Sequence, residues 1–331
     1  MSRKNRSVLA LAIVLAGVIV SAGFAATAAP AKTYLAVVTG STGGTYYPVG
    51  TILATLWNEK LGASKGVAAS AQSSGGTAEN LNMLRAGEAE LAIAMTNLTW
   101  FNYKGIEQYQ GKPNPKLRIL TGLWPDVTQF VVTKASKIET VADIKGKRFC
   151  TGATGSGTEY SSLAILRLIG GLADRDYRAE HLGYFESSAA MQNGQLDGFN
   201  AEGGVPTSAV AEIFASQTPV KLLQFSDEDY AKLTREIPFY VQYVIPANTY
   251  KNQTEDVKTL GVKCALICTS DLPDDIAYSL VKTMYENLAQ IQASHKALGY
   301  LTLERAVQGL PPVPLHPGAA KFYQEMGLKL P

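Results

Sequence analysis

The apolar positions of this chain fall in short blocks separated by glycine-rich breaks. Tyr34 to Thr39, Val67 to Gln72 and Leu91 to Met95 have strand length and composition. Between them Tyr46 to Leu61 and Thr77 to Ala86 carry helical spacing, the first with Pro48 in its opening turn and the second closed by Gly87. The alternation resumes with strands at Phe130 to Val132, Lys147 to Cys150 and Gly198 to Ala201. A helical turn is expected at Val141 to Ile144, and helices at Glu159 to Gly170, Ser187 to Asn193 and Thr207 to Ala215. Tyr240 to Ile245 and Val262 to Cys268 read as strands crossing back. Asp274 to Ala293 reads as one long amphipathic helix with Ile276, Leu280, Val281, Met284 and Leu288 on its stripe. Strands alternating with helices predict an α/β fold with a mostly parallel sheet. At 331 residues the chain has room for two domains. The expected division is a discontinuous first lobe, 33–128 with 258–331, and a second lobe, 129–257.

The first residues break this pattern. Arg3, Lys4 and Arg6 precede an uncharged apolar stretch from Ser7 to Val20 and then small residues up to Ala29. That order is a signal peptide: the apolar run is shorter than the ~20 residues of a membrane span, and Ala26 and Ala28 supply small side chains for cleavage after Ala28. No cysteine stands there to take a lipid. The expected location is therefore the periplasm. Cleavage takes three of the 30 basic residues and none of the 28 acidic ones, leaving a nearly neutral chain. Its charges are scattered, which gives no reason to expect nucleic acid or an anionic membrane as partner. Cys150, Cys264 and Cys268 fit no metal spacing and read as small core residues, although an oxidising compartment permits a disulfide between Cys150 and one of the others.

The candidate chemistry lies in four loops, Gly40 to Thr45, Ser73 to Thr77, Gly152 to Thr158 and Gly203 to Pro206, each following a strand and opening a helix. A helix start exposes unpaired N–H groups and partial positive charge, and open α/β sheets bind ligands beyond the carboxyl ends of their strands. Hydroxyls of Thr45, Thr77, Ser156 and Thr158 and amides of Asn80 and Asn97 can complete a neutral cage for an anion. Two loops fall in each expected lobe, as they would if the lobes closed on a small ligand. Any one such turn is equally explained as a capped helix start. Tyr46, Tyr47 and Trp124 are candidates for a pocket wall or for plain core.

The sequence carries no familiar catalytic motif. Gly152, Gly155 and Gly157 do not follow the dinucleotide order, and no phosphate-loop, zinc-protease or nucleophile-elbow motif occurs. No cofactor and no metal are expected. His181 and His295 stand in polar surroundings, and His316 sits in a proline-rich turn that suits a structural hydrogen bond. An enzyme on the same fold would need a titratable group in the cleft, for which Glu79, Asp126, Glu159 and Glu202 lie near the loops.

Five segments in order resemble the TAXI solute-binding proteins of tripartite ATP-independent periplasmic (TRAP) transporters. They are Thr39 to Gly50; Gly75 to Asn80 with Leu84 to Glu88; Ala142 to Arg148 with Thr154 to Thr158; Gly203 to Pro206; and Pro314 to Ala319. The resemblance implies a type II periplasmic-binding-protein fold with the ligand cleft between two lobes. It also implies a non-enzymatic, monomeric receptor that delivers glutamate, glutamine, 2-oxoglutarate or a similar dicarboxylate to a fused membrane permease driven by an ion gradient. Its ligand contacts map onto Gly44, Thr45, Tyr46, Thr77, Asn80, Gly155, Ser156, Thr158, Gly204, Val205 and Pro206. Gly76, Thr96, Asn97, Trp124 and Gly157 complete the candidate set. Where the family commonly shows Gln-Ser-Asp, this chain has Met95, Thr96 and Asn97. Losing that carboxylate would remove a partner for an ammonium group and bias the site toward keto or hydroxy dicarboxylates. An enzyme and an exported sensory or surface-binding protein remain the alternatives.

Overall fold

The computed structural model describes residues 31–330. The expected leader and its cleavage point at Ala28 lie outside the described residues. In chain order the elements begin β1 (Thr33–Val38), α1 (Tyr46–Lys65), β2 (Val67–Gln72), α2 (Thr77–Ala86), β3 (Leu91–Met95), α3 (Thr96–Lys104) and β4 (Leu117–Thr133). They continue β5 (Arg148–Cys150), α4 (Gly157–Leu168), β6 (Arg178–Glu180), α5 (Tyr184–Gln192), β7 (Gly198–Gly203), α6 (Ser208–Ala215), β8 (Val220–Leu222), α7 (Asp227–Glu236) and β9 (Tyr240–Ile245). The chain closes with β10 (Val257–Thr269), α8 (Asp274–Glu286), α9 (Leu288–Ser294) and α10 (Pro317–Glu325).

The strands follow the order β2-β1-β3-β10-β4-β7-β5-β6, with β8 on β4 and β9 on β10. Pairs β1–β2, β1–β3, β5–β6 and β5–β7 are parallel, as strand-helix-strand units require. The expectation of a mostly parallel sheet fails at its centre. The long strands β4 and β10 run antiparallel to each other, to β3, β7 and β8, and to β9. They link a first half, β2-β1-β3-β10, to a second, β7-β5-β6. β4 is also far longer than the expected strand at Phe130 to Val132. Gly122 and Pro125 lie inside it, and the ladder takes up an extra residue between the Gly122–Ala265 and Pro125–Lys263 pairs. The resulting bulge lies next to Pro125, the kind of place a central strand tolerates proline.

The expected helix Asp274 to Ala293 is two helices. Asn287 leaves helical geometry at φ −114° and ψ 27°, and its amide donates to the Thr283 carbonyl at 2.8 Å. That local competition with the backbone is why asparagine suits a helix end better than a helix interior.

The core is layered on both faces of the sheet. On one face of the first half, Leu53 and Trp57 of α1 pack with Leu280 and Met284 of α8 and with Phe322 and Tyr323 of α10. On the other face Leu81, Leu98 and Phe101 of α2 and α3 join Phe130, Phe149 and Ile165 in a cluster that runs into the second half. A third cluster puts Phe199 of β7 against Val210 and Ile213 of α6. All three cysteines are buried and unpaired, in keeping with their reading as core residues: Cys150 sits in the third cluster, Cys264 and Cys268 in the first. His316 is fully buried. Its Nδ1 accepts from the Gly318 N–H at the start of α10, and its Nε2 lies 2.9 Å from the Leu272 carbonyl oxygen, the structural role its turn suggests.

Candidate functional site

The strand ends of both halves face one cavity. Three of the four glycine-rich loops wall it. The first contributes Gly40, Ser41, Gly44 and Thr45 with Tyr46, the second Gly75, Gly76 and Thr77, and the third Ala153, Ser156, Gly157 and Thr158. These are the opening residues of α1, α2 and α4, so three helix N-termini meet at one rim. Met95, Gly183 and Tyr184 complete the wall, and Asp126 and Glu202 form its floor.

The loops touch across the cleft. Thr45 Oγ1 donates to the Gly204 carbonyl at 3.0 Å, and the Ala209 N–H donates to the Gly43 carbonyl at 3.2 Å. A Cβ on Gly157 would stand 2.1 Å from Met95 Sδ and 3.1 Å from Thr77 Oγ1. Only glycine lets α4 approach α2 and β3 this closely. Gly76, with φ of +114°, is in a backbone region that other residues rarely adopt.

The rim hydroxyls are tied into the scaffold. Ser156 Oγ accepts from the Glu159 N–H at 2.9 Å as the cap of α4, and Thr77 Oγ1 accepts from the Met95 N–H at 3.1 Å. Thr158 Oγ1 shares a short hydrogen bond with the Tyr184 hydroxyl, which also donates to the Glu202 carbonyl at 2.7 Å and accepts from the Glu202 N–H at 3.0 Å. Tyr184 thereby fixes the start of α4 to the end of β7.

The floor follows from strand alternation. Trp124, Asp126 and Thr128 point to one side of β4, and Glu202 of β7 pairs directly with Thr128. Asp126 is 1% exposed and Glu202 6%. The Tyr46 hydroxyl donates to Asp126 Oδ2, and Trp124 Nε1 donates to Oδ1 at 3.1 Å. Burial pushes the Asp126 carboxyl up to about 7, against the opposing pull of those two donors. Glu202 accepts from Thr128 Oγ1 at 3.1 Å through Oε1, while its Oε2 has no partner among the described residues. Burial first, and the neighbouring Asp126 charge after it, hold the Glu202 carboxyl well above the usual range. No Lys, Arg or His among the described residues lines the cavity.

Of the candidate set, Gly44, Thr45, Tyr46, Gly76, Thr77, Ser156, Gly157 and Thr158 line this cavity, and the rest do not. Asn80 is buried beneath the second loop, where its amide donates to the carbonyls of Thr39 and Ile93 at 2.7 and 2.9 Å and its Oδ1 accepts from Ser74 Oγ at 2.6 Å. Thr96 Oγ1 is spent on the Lys263 carbonyl, and Asn97 Oδ1 on the Leu98 N–H. Asn97 lies outside the lining, which removes the premise for a bias against amino groups. Trp124 stands behind Asp126, and the Gly155 N–H binds the Glu159 carboxylate. Gly204 packs against Thr45, Trp124 and Ala297, and Val205 and Pro206, like it, stand outside the lining. Asp126 and Glu202 were legible only as acids near the loops, and Tyr184 carried no sequence signal at all.

An α/β fold of two lobes with a small-molecule cleft between them is the architecture of solute-binding proteins. The NMT1-like family model matches residues 37–327, and the chain belongs to that family. Similar solved structures include the alkanesulfonate-binding protein SsuA from Xanthomonas axonopodis pv. citri bound to MOPS, 17% identical over 89% of this chain and 84% of that one, with a TM-score of 0.49. A protein from Bordetella bronchiseptica RB50 is 15% identical over 89% and 81% of the two chains, with a TM-score of 0.52. A binding protein component of an ABC phosphonate transporter from Pseudomonas aeruginosa is 13% identical over 81% and 80%, with a TM-score of 0.49. At these identities the likeness is one of fold. No helix among the described residues is long and apolar enough to cross a membrane, and no group of side chains among them is arranged to hold a metal.

Proposed function

We propose that the protein is an extracytoplasmic solute receptor that captures a small carboxylate-bearing solute between two lobes, 33–128 with 258–331 and 129–257, and passes it to a membrane permease. The carrying observation is the convergence of three helix N-termini from both halves of the sheet on one small cavity. Exposed N–H groups and helix-dipole charge favour a carboxylate there without an arginine. The cavity has no room for a macromolecular substrate, and loop contacts across the cleft are those a closing receptor forms around its ligand. The TAXI resemblance supplies the finer reading: a TRAP-type permease driven by an ion gradient as partner, and glutamate, glutamine, 2-oxoglutarate or a related dicarboxylate as ligand.

A thermal-shift screen of the chain lacking residues 1–28 tests this against amino acids, keto acids and dicarboxylates. A ligand at a hundred times its Kd stabilises the native state by about 2.7 kcal/mol, enough for a clear rise in midpoint. A flat response to every compound defeats the receptor reading. Recovery of a chemically altered ligand after long incubation would replace it with an enzyme, with Asp126 and Glu202 as the acids. Uptake with the permease that survives ATP depletion but stops when the ion gradient is collapsed supports the TRAP assignment.

A further inference from the structure

We propose that Asp126 and Glu202 form a subsite for a protonated nitrogen of the ligand, so that the captured solute is an amine-bearing carboxylic acid rather than a keto or hydroxy acid. This rests on the receptor reading and sharpens it.

Both carboxyls are more than nine-tenths buried and line the same cavity. A buried carboxylate is tolerated when donors or a countercharge surround it. Asp126 has two donors, the Tyr46 hydroxyl and Trp124 Nε1, one on each oxygen, an arrangement that favours its charged form. Glu202 is half provided for: Thr128 Oγ1 serves Oε1, and buried Oε2 has no hydrogen-bond partner among the described residues, although the nearby Ser161 side chain favours the charged form. With no Lys, Arg or His among the described residues in the lining, the protein offers these acids no cation of its own. A ligand ammonium supplies what is missing: positive charge for both carboxyls and an N–H donor for Oε2.

The helix starts make the complementary offer. The starts of α2 and α4 present backbone N–H groups and capping hydroxyls at Gly76, Thr77, Ser156 and Gly157 to the cavity, while the acids of their first turns, Glu79 and Glu159, are turned back onto the Gly75 and Gly155 N–H groups. A molecule with a carboxylate at one end and an ammonium at the other matches the rim and the floor together. A keto acid matches the rim but sets a carbonyl oxygen or a second carboxylate against Glu202.

Protons make the two cases distinguishable. Burial holds Asp126 near pH 7 and Glu202 well above the ordinary carboxyl range, so both are at least partly protonated in the empty cavity. An ammonium entering between them favours their ionised forms and expels protons. A second carboxylate would favour the protonated forms and take protons up.

The test is calorimetry of the leaderless chain near pH 7, in buffers of different ionisation enthalpy, with matched probes: glutamate and 2-oxoglutarate, alanine and pyruvate, aspartate and oxaloacetate. The expected result is that the tightest binder carries the amine, binds at least about tenfold more tightly than its keto partner, and releases protons. Glu202→Gln should weaken that amine ligand by about tenfold or more while leaving the keto partner unchanged or tighter. Asp126→Asn should move the pair in the same sense and guards against misfolding of the first variant. Tighter keto-acid binding, proton uptake, or equal weakening of both partners by Glu202→Gln overturns the assignment and leaves the receptor standing. Failure of every probe of either kind to bind removes the receptor reading and this subsite with it.

Discussion

The rim and the floor of the cavity reach the ligand space by different means. The rim is built from loops and helix starts, and its polarity comes from backbone N–H groups and from hydroxyls already engaged as caps. The floor is built from the middle of β4 and the end of β7, and its polarity comes from two carboxyls that the ladder carries inward. Backbone donors keep their charge at any pH and are fixed by the fold. Buried carboxyls titrate, and their charge depends on what faces them. A receptor with both kinds of wall can hold one end of a solute by geometry and read the other end by charge.

The largest effect should come from the floor. Asp126 is held at about 7 in the folded chain, against an ordinary carboxyl value of 3.8. Between those values the folded chain keeps a proton that the unfolded chain has released, so stability falls as pH rises through that window and the full cost is present above it. Three pH units of such a shift correspond to on the order of 4 kcal/mol as an upper bound. Glu202 acts in the same direction. Asp126→Asn should therefore leave stability near pH 3 nearly unchanged and raise it at pH 8 by up to a few kcal/mol, as read from urea midpoints of the ligand-free protein. A variant with the same pH slope as the parent would mean that the floor does not carry buried charge, and the contrast with the rim would collapse.

Asn80 tests where the rim ends and the scaffold begins. The resemblance marks it as a ligand contact, but its amide binds the Thr39 carbonyl just past β1 and the Ile93 carbonyl within β3, and its oxygen holds Ser74. Truncation leaves several buried groups unpaired, so Asn80→Ala should cost on the order of 3 kcal/mol in stability. The affinity of the remaining folded protein should hardly move. Lost binding at unchanged stability would put Asn80 back in the rim.

The same division explains what could be read from the chain. The rim was legible because glycines and hydroxyls before a helix mark a turn with a cap, and such punctuation is local: α2, β2, β3 and β9 have the expected bounds. The floor was not. Gly122 and Pro125 look like breaks, yet they lie inside β4, where a neighbouring bulge accommodates the proline. In β7, Asn200 and Glu202 alternate with Phe199 and Ala201, as in a strand with one wet face. The structure buries both faces, because α4 and α6 cover them. Tyr184 opens a helix whose expected start was Ser187, and its bonds to Thr158 and Glu202 depend on tertiary approach alone. Antiparallel pairing of β4 with β10, which places Asp126 at the crossing between the halves, is likewise long-range and leaves no periodic trace.

Ser156 should give the smallest effect and draws the line within the rim itself. Its hydroxyl faces the cavity but already accepts from the Glu159 N–H, so in the unliganded protein it is an ordinary N-cap. Ser156→Ala removes that cap at a cost of about 1 kcal/mol, visible as a modest drop in Tm. If the rim holds the carboxylate through backbone N–H groups, affinity should fall by only a few-fold, less than for Glu202→Gln, and equally for amine and keto probes, because the hydroxyl meets the end of the solute they share. A loss that falls on amine ligands alone would place the nitrogen at α4 instead. Rim and floor would then have exchanged roles, and the acids at Asp126 and Glu202 would have to act as protonated donors to a carboxylate.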